Sequence, residues 1–251
     1  ILEFFVSSSS KLIWLDGKFV KHSNAKIPVT THAIHYGTSI FEGIRAYWNG
    51  EKLNIFRLDE HVTRFRNSGK FYDITLRFTN KEIKDAIINL CKINKIKTSC
   101  YIRPFYFVGQ YGINLHVTKK APTHAVIFCF PFGDLFNKNG ITACISKWRK
   151  FNDSSTPTQA KMGGNYLNSI LATQDAKKRK FDEAILLDKN NKVSEAPGEN
   201  IFIVKNNILI TPPLSSSALD GITRKSILEF AKSMKVKTKI KEITKDELKK
   251  A

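Results

Sequence analysis

Two short stretches of this chain hold residue types that together can do chemistry on amines and carbonyls. The first is Lys161-Met162-Gly163-Gly164-Asn165-Tyr166 and the second is Ser194-Glu195-Ala196-Pro197-Gly198-Glu199-Asn200. A lysine amine can condense with an aldehyde, and glycines leave backbone room for a cofactor. A phenol can meet a ring oxygen, and a carboxylate can keep a ring nitrogen protonated. Those are the groups that pyridoxal 5'-phosphate requires. Taken singly, Lys161 reads as a solvated loop lysine and Glu195 as a bland strand-end acid; the two stretches in this order carry the reading. A lysine serves such chemistry only when burial and cationic neighbours lower its pKa.

A phosphate group needs cations and amides. Asp220-Gly221-Ile222-Thr223 opens a predicted helix, where the free N–H groups of Ile222 and Thr223 and the helix dipole suit an anion. Gly221 lets the backbone approach closely. Thr223 is equally readable as a plain N-cap.

The elements that must position these residues are legible in outline. Leu12–Leu15 and Lys18–Lys21 flank an Asp16-Gly17 turn as a hairpin, and Ile55–Phe56 reads as a short strand. Asp59 precedes a helical stretch with Val62 and Phe65 apolar, so Arg64 lies beside that face. Asn80 can cap a clearer helix with Ile83, Ala86, Ile87, Leu90 and Cys91 on one side. Strands follow at Cys100–Val108 and His124–Phe130, with Pro104 arguing for an edge strand or a bulge. After a turn-rich linker, Ile141–Ser146 is a strand and Asn152–Gln159 a polar loop. Leu167, Ile170 and Leu171 begin a helix running to Lys178. Hairpins form around Lys189-Asn190-Asn191, between Ala184–Asp188 and Lys192–Ser194, and around Asn206-Asn207, between Ile201–Lys205 and Ile208–Thr211. Ile227, Leu228, Ala231 and Met234 recur at helical spacing in the last helix. Helices and antiparallel hairpins mix without regular alternation, which is an α+β pattern in two lobes. The expected division is a small α+β domain over 11–131, a loop over 132–140 and a large cofactor-binding domain over 141–251.

The 251 residues are 42% hydrophobic and 25% charged, values of a globular chain able to bury real cores. No apolar run suits a membrane span. The opening Ile1 to Ser10 lacks a basic region and reads as a frayed extension or fragment start rather than a signal sequence. Cys91, Cys100, Cys129 and Cys144 have no metal-ligand spacing, so free thiols in a reducing, cytoplasmic setting and no metal are expected. The formal charge of +19 invites a nucleic-acid partner. The lysines are scattered, however, and no zinc finger or RNP-type motif is present, so nonspecific polyanion adhesion is the expected consequence, not specific recognition.

Thr31-His32-Ala33-Ile34-His35-Tyr36-Gly37-Thr38-Ser39-Ile40-Phe41-Glu42-Gly43-Ile44-Arg45, Tyr101-Ile102-Arg103-Pro104, the Lys161 and Glu195 stretches and Leu219–Thr223 resemble the branched-chain amino-acid aminotransferases. These are fold-type IV pyridoxal-phosphate enzymes, and the likeness runs in order from Ile13 to Ala251. It implies that Lys161 bonds the cofactor and then moves the substrate α-proton. Glu195 would face the pyridine nitrogen, and Tyr166 would hydrogen-bond the ring oxygen. Arg64, Gly221, Ile222 and Thr223 would hold the phosphate. Leu219 and Asn200 belong with the cofactor-binding residues, Asn200 and Glu199 chiefly shaping their turn. For substrate the resemblance implies Tyr36, Phe41, Gly43, Tyr101 and Arg103. Phe41 would line the aliphatic pocket and Tyr101 would hold the α-carboxylate. Arg103, with Tyr36 from a second subunit, would meet the distal carboxylate of glutamate.

The implied reaction passes the amine of Leu, Ile or Val to 2-oxoglutarate in a homodimer or larger homo-oligomer, in a cleft between the lobes. D-amino-acid transaminase and aminodeoxychorismate lyase chemistry remain open within the same fold, and a noncatalytic polyanion-binding remnant outside it. Two departures stand out. Phe132 occupies a position where relatives often have tryptophan, and the chain stops at Ala251 before an expected Gly-Thr turn. A whole chain of this length would bind cofactor weakly and turn over little or not at all; a fragment of a longer reading frame, or the omission of disordered residues, is the expectation.

Overall fold

The computed structural model describes residues 10–133 and 139–251. The opening Ile1 to Ser9 and the centre of the expected linker, 134–138, lie outside the described residues. The chain forms two compact units, residues 10–133 with Lys161–Gly164, and residues 139–160 with Asn165–Ala251.

In the first unit the strands are β1 (Leu12–Leu15), β2 (Lys18–Lys21), β3 (Ser39–Phe41), β4 (Ile44–Trp48), β5 (Leu53–Ile55), β6 (Cys100–Val108) and β7 (Thr123–Pro131). They form one seven-stranded sheet in the order β2-β1-β7-β6-β4-β5, with β3 also paired to β6. Its strand pairings are antiparallel, with β6 and β7 in register from Cys100↔Pro131 to Val108↔Thr123. The β1–β2 turn uses Asp16 and Gly17, both at positive φ as a tight hairpin requires. The helices are α1 (His32–Tyr36), α2 (Leu58–Lys70) and α3 (Asn80–Ile93). α3 buries Ile83, Ala86, Ile87, Leu90 and Cys91, the predicted face, and α2 buries Val62 and Phe65.

Three local expectations change. The α3 N-cap is Thr79, not Asn80: Thr79 Oγ1 accepts from Glu82 N–H and Glu82 accepts from Thr79 N–H at 2.7 Å, a reciprocal box. Asn80 instead accepts from Arg66 Nε at 2.6 Å. α2 starts at Leu58, one residue before Asp59, after Arg57 at φ 45°. Pro104 lies in the interior strand β6 rather than at an edge or bulge. Its carbonyl accepts from Glu42 N–H at 2.9 Å, between the residues of β6 that pair with β3 and those that pair with β4. In an antiparallel strand a residue's N and O face the same neighbour, so the missing proline N–H falls where one partner strand has ended and the next has not begun.

That junction carries Glu42, whose side chain is fully buried. Its carboxylate accepts from Arg64 Nε at 2.6 Å, Arg64 Nη2 at 2.8 Å and His61 Nδ1 at 2.7 Å. Strands and α2 are thereby tied by charge as well as by apolar packing.

Lys161–Gly164 groups with this unit, whereas the expected division at 141 puts it in the other. The reason is backbone pairing: Phe41 N–H donates to Lys161 O at 3.1 Å and Gly164 N–H to Gly37 O at 3.2 Å. Ile40 and Met162 form an isolated bridge, and Lys161 N–H donates to Ser68 Oγ at 3.0 Å.

The second unit contains β8 (Ala143–Arg149), α4 (Tyr166–Lys178), β9 (Glu183–Leu187), β10 (Ile203–Lys205), β11 (Ile208–Thr211), α5 (Ile222–Ser233), β12 (Thr238–Ile240) and α6 (Lys245–Lys249). β8 and β9 are parallel, with α4 in the connection between them. Ala172 and Ala176 pack with Cys144, Ala184 and Leu186. The expected helix forms as α4, which buries small and polar residues, Asn168, Ser169, Ala172 and Ala176, and leaves Leu167, Ile170 and Leu171 exposed. A helix lying this close to strands has room there only for short side chains.

β10 and β11 form the expected hairpin with Asn206 and Asn207 both at positive φ, and β12 joins β11 in parallel. The Lys192–Ser194 side of the other hairpin is reduced to a single Leu187↔Val193 bridge. α5 buries Ile222, Arg224, Ser226 and Ala231, while Met234 ends the helix as its exposed C-cap. No described helix is long and apolar enough to cross a membrane.

Burial pushes the Glu42 carboxyl up, but the hydrogen bonds and charges of Arg64 and His61 outweigh it and take it down to about 2. A carboxyl depressed on folding stabilises fully above its unfolded value of 4.5, and that contribution is lost as pH falls through about 2. Glu42→Gln should cost about 3 kcal/mol at neutral pH by leaving the Arg64 guanidinium without its carboxylate, and the gap should close toward pH 2. Urea unfolding of both proteins across this range checks it; equal stability at pH 7 would refute the pairing.

Candidate active site

The first unit gathers most of the predicted substrate residues around Lys161. Its side chain is partly buried, with Nζ 4.6 Å from the Phe41 ring centroid. Arg103 meets the same ring, with Cζ 4.6 Å from the Phe41 centroid, and donates through Nη2 to Tyr101 Oη at 2.9 Å. Arg103 and Tyr101 are two residues apart on β6, so strand alternation puts both on one face. Phe41 ends β3, whose partner is the same strand. Gly43 is required by the Tyr101 ring: a Cβ there would run into the phenol oxygen.

Burial lowers the Lys161 pKa from the ordinary 10.5; the Glu42 charge opposes this, Arg64 adds to it, Tyr101 opposes and Arg103 adds. The amine is thus set among cations and apolar surface, as nucleophilic chemistry demands. Arg64 is expected on a phosphate, and in this structure its Nε and Nη2 edge is on Glu42. Tyr36 is not drawn into this group. It is exposed, packs on His32 at 4.6 Å between centroids and donates to Ile113 O at 3.3 Å.

The second unit builds a separate cluster on Glu195, itself buried. Its Oε2 accepts from Asn200 Nδ2 at 3.0 Å and from Leu219 N–H at 2.9 Å, and its Oε1 lies 2.6 Å from Lys150 Nζ. Asn200 also donates to Leu219 O at 2.9 Å, so its amide holds both the acid and the segment before α5. Gln159 fixes the same segment, donating to Ala218 O at 2.8 Å and accepting from Asp220 N–H at 3.0 Å. Gly221 is the α5 N-cap, and a Cβ there would collide with Asn200 Oδ1. Ile222 is buried and Thr223 exposed in the first turn. Behind them Arg224 is buried, donates to Pro212 O at 3.0 Å, and is lowered in pKa by burial with Asp220 opposing. Tyr166, half-buried, begins α4 directly after a single turn of 3-10 helix over Gly163–Asn165.

Glu42, His61, Lys150 and Gln159 take part in these clusters although sequence reasoning assigns them no role there. Glu42 lies inside the Thr31–Arg45 motif, but nothing local marks it as buried. Lys150 is one of 41 lysines and arginines, and no spacing distinguishes it from solvated ones. No group of three or more His, Cys, Asp or Glu among the described residues is placed to hold a metal ion.

Residues 39–251 match the amino-transferase class IV family. A branched-chain-amino-acid aminotransferase of Salmonella typhimurium is 39% identical over 240 residues, spanning 94% of this chain and 77% of that protein. The crystal structure of a branched-chain aminotransferase from Thermoproteus uzoniensis with norvaline superposes with a TM-score of 0.93 at 39% identity, covering 95% of this chain and 80% of that one. A T.th. branched-chain amino acid aminotransferase complexed with N-(5'-phosphopyridoxyl)-L-glutamate gives 0.91 at 38% identity, covering 95% and 79%. With this coverage and identity, and with its lysine and its partnered glutamate built as described, the chain belongs to the class IV aminotransferases, among the branched-chain-amino-acid aminotransferases.

Proposed function

We propose that this protein transfers the amino group of branched-chain L-amino acids (Leu, Ile, Val) to 2-oxoglutarate, using pyridoxal 5'-phosphate and releasing branched-chain 2-oxo acids and glutamate. The observation that carries the reading is a lysine amine depressed in pKa by burial, beside Phe41, Tyr101 and Arg103. The residues suit the cofactor: an amine for its aldehyde, an anchored carboxylate for its ring nitrogen, and a helix start with a close-approach glycine for its phosphate. When bound, the cofactor supplies an electrophilic aldehyde and a ring that withdraws electrons from the substrate's α-carbon. A relative solved with a phosphopyridoxyl-glutamate adduct supports both the cofactor and glutamate as a reaction partner.

Within that reading Lys161 Nζ would bond the cofactor's aldehyde and would be the group that holds the proton taken from the substrate's α-carbon. Its lowered pKa means the amine gives up its proton more readily than an ordinary lysine does. Glu195 holds the ring nitrogen's proton, and Asn200 and Leu219 fix the acid in place. Tyr166 meets the ring oxygen, and Arg64, Ile222 and Thr223 take the phosphate. Phe41 faces the aliphatic side chain. The guanidinium of Arg103, held by Tyr101, takes the distal carboxylate of glutamate. Tyr36 serves the site of a second copy, and we place the enzyme in the cytoplasm as a homodimer or larger.

Wild-type protein with cofactor should show a visible absorbance band that bleaches on adding L-leucine, and borohydride should trap cofactor on Lys161. Lys161→Ala should abolish both, and a variant that still transaminates at wild-type rate overturns the assignment. Preference for D-alanine over L-leucine, L-isoleucine and L-valine would exclude the substrate class. Aldehyde modification of Lys161 in the cofactor-free protein should reach half its maximal rate below pH 10.5, the ordinary lysine value, because the amine loses its proton earlier; a midpoint at or above that value counts against the buried setting. Arg103→Gln should raise KM for 2-oxoglutarate by about tenfold or more, some 1.4 kcal/mol, with far less effect on leucine. Steady-state kinetics of each half-reaction measures this, and equal losses for both substrates would remove Arg103 from the distal-carboxylate role.

A further inference from the structure

Lys150 takes no part in the chemistry proposed above, yet several contacts fix its position. It follows β8 directly, and its backbone N–H donates to Leu187 O at 2.9 Å, which anchors it beside the end of β9. Its side chain is 14% exposed, and the ammonium lies 2.6 Å from Glu195 Oε1. The carboxylate offers about four lone-pair positions. Both on Oε2 are taken, by the Asn200 amide and the Leu219 N–H, and Lys150 takes one on Oε1. The acceptor position left for a ring nitrogen is therefore on the oxygen that Lys150 already holds.

A buried ion pair adds little net stability compared with apolar side chains of the same volume. A methionine could fill the same space, so stability alone does not account for a lysine there. Two other effects do. An ammonium 2.6 Å from Oε1 occupies one side of that oxygen and fixes the direction in which its remaining lone pair points. It also restrains the acid's hold on any proton shared with a second group, because the ammonium repels that proton. Among the described residues no other charged side chain contacts the Glu195 carboxylate; its remaining partners, Asn200 and Leu219, are neutral.

We infer that Lys150 is a positioning residue that holds Glu195 with Oε1 aimed for the cofactor's ring nitrogen and limits how tightly the pair holds the ring proton. This rests on the reading in which Glu195 faces that nitrogen. Both effects follow from one contact: the first acts before the cofactor arrives, the second while it is bound. Charge, not side-chain shape, is the operative property, so arginine should substitute and neutral residues should not.

The test uses holoenzyme loaded with pyridoxal phosphate carrying nitrogen-15 in the ring, whose chemical shift reports ring protonation across pH. In Lys150→Met, and in Lys150→Gln should the first variant fold poorly, the pH at which the ring loses its proton should rise by about one unit. Lys150→Arg should leave it in place. A neutral variant whose ring titrates with the wild type, or with no upward shift over the accessible range, makes Lys150 a merely structural ion pair and overturns the inference. An arginine variant that shifts as far as methionine overturns it too, since charge would then not be the cause. A wild-type protein that gives no bound-ring signal at all instead overturns the proposed cofactor chemistry, which keeps the two failures apart.

Discussion

A carboxylate without solvent has to be paired, and the first unit is arranged around that requirement at Glu42. Its two oxygens take three donors from Arg64 and His61, all from one helix, while its own backbone N–H reaches Pro104. The contact decides where α2 sits on the sheet and which edge of Arg64 is engaged. It also sets the field at Lys161, whose pKa is lowered most by burial, with Glu42 opposing that effect and Arg64 adding to it. Removing the anion would change the contact that holds α2 and the field at the Lys161 amine together.

The second unit repeats the solution with different parts. Glu195 is held by an amide, a backbone N–H and one ammonium rather than by guanidinium and imidazole. The neutral donors come from the Asn200 turn and from the segment leading into α5, so the acid and the helix start are fixed by the same few hydrogen bonds. Asn200 joins them twice, once through Glu195 and once through Leu219 O. Gly221 completes the arrangement because a side chain there would push the Asn200 amide out of its place. An anchored acid and a helix start in one rigid piece suit a ligand with a basic ring and an anionic tail.

Legibility of the fold follows the strength of local signals. The β1–β2 and β10–β11 hairpins are readable because Asp16-Gly17 and Asn206-Asn207 accept positive φ, which few other residues do. The α3 face is readable because its apolar residues recur at helical spacing. Thr79 is harder to pick out as its cap beside Asn80, although Glu82 three residues on is the cue. α4 is legible as a helix but not in its packing, since its buried face is alanine, serine and asparagine and its large apolar residues are exposed. Periodicity marks which residues share a face; it does not say which face a neighbour will cover.

The residues of the catalytic reading were determined by the sequence itself: a lysine before two glycines, a glutamate five residues before an asparagine, and an arginine two residues after a tyrosine on a strand. Their types and order dictate what chemistry is available, because reactivity resides in functional groups. Tertiary structure alone decided that Lys161 travels with the first unit, that Arg64 meets Glu42, and that Lys150 rather than any other of many lysines reaches Glu195. Those outcomes depend on burial and on contacts between residues far apart in the chain. Composition and spacing do not contain them, since desolvation acts on a side chain only after the rest of the chain has closed around it.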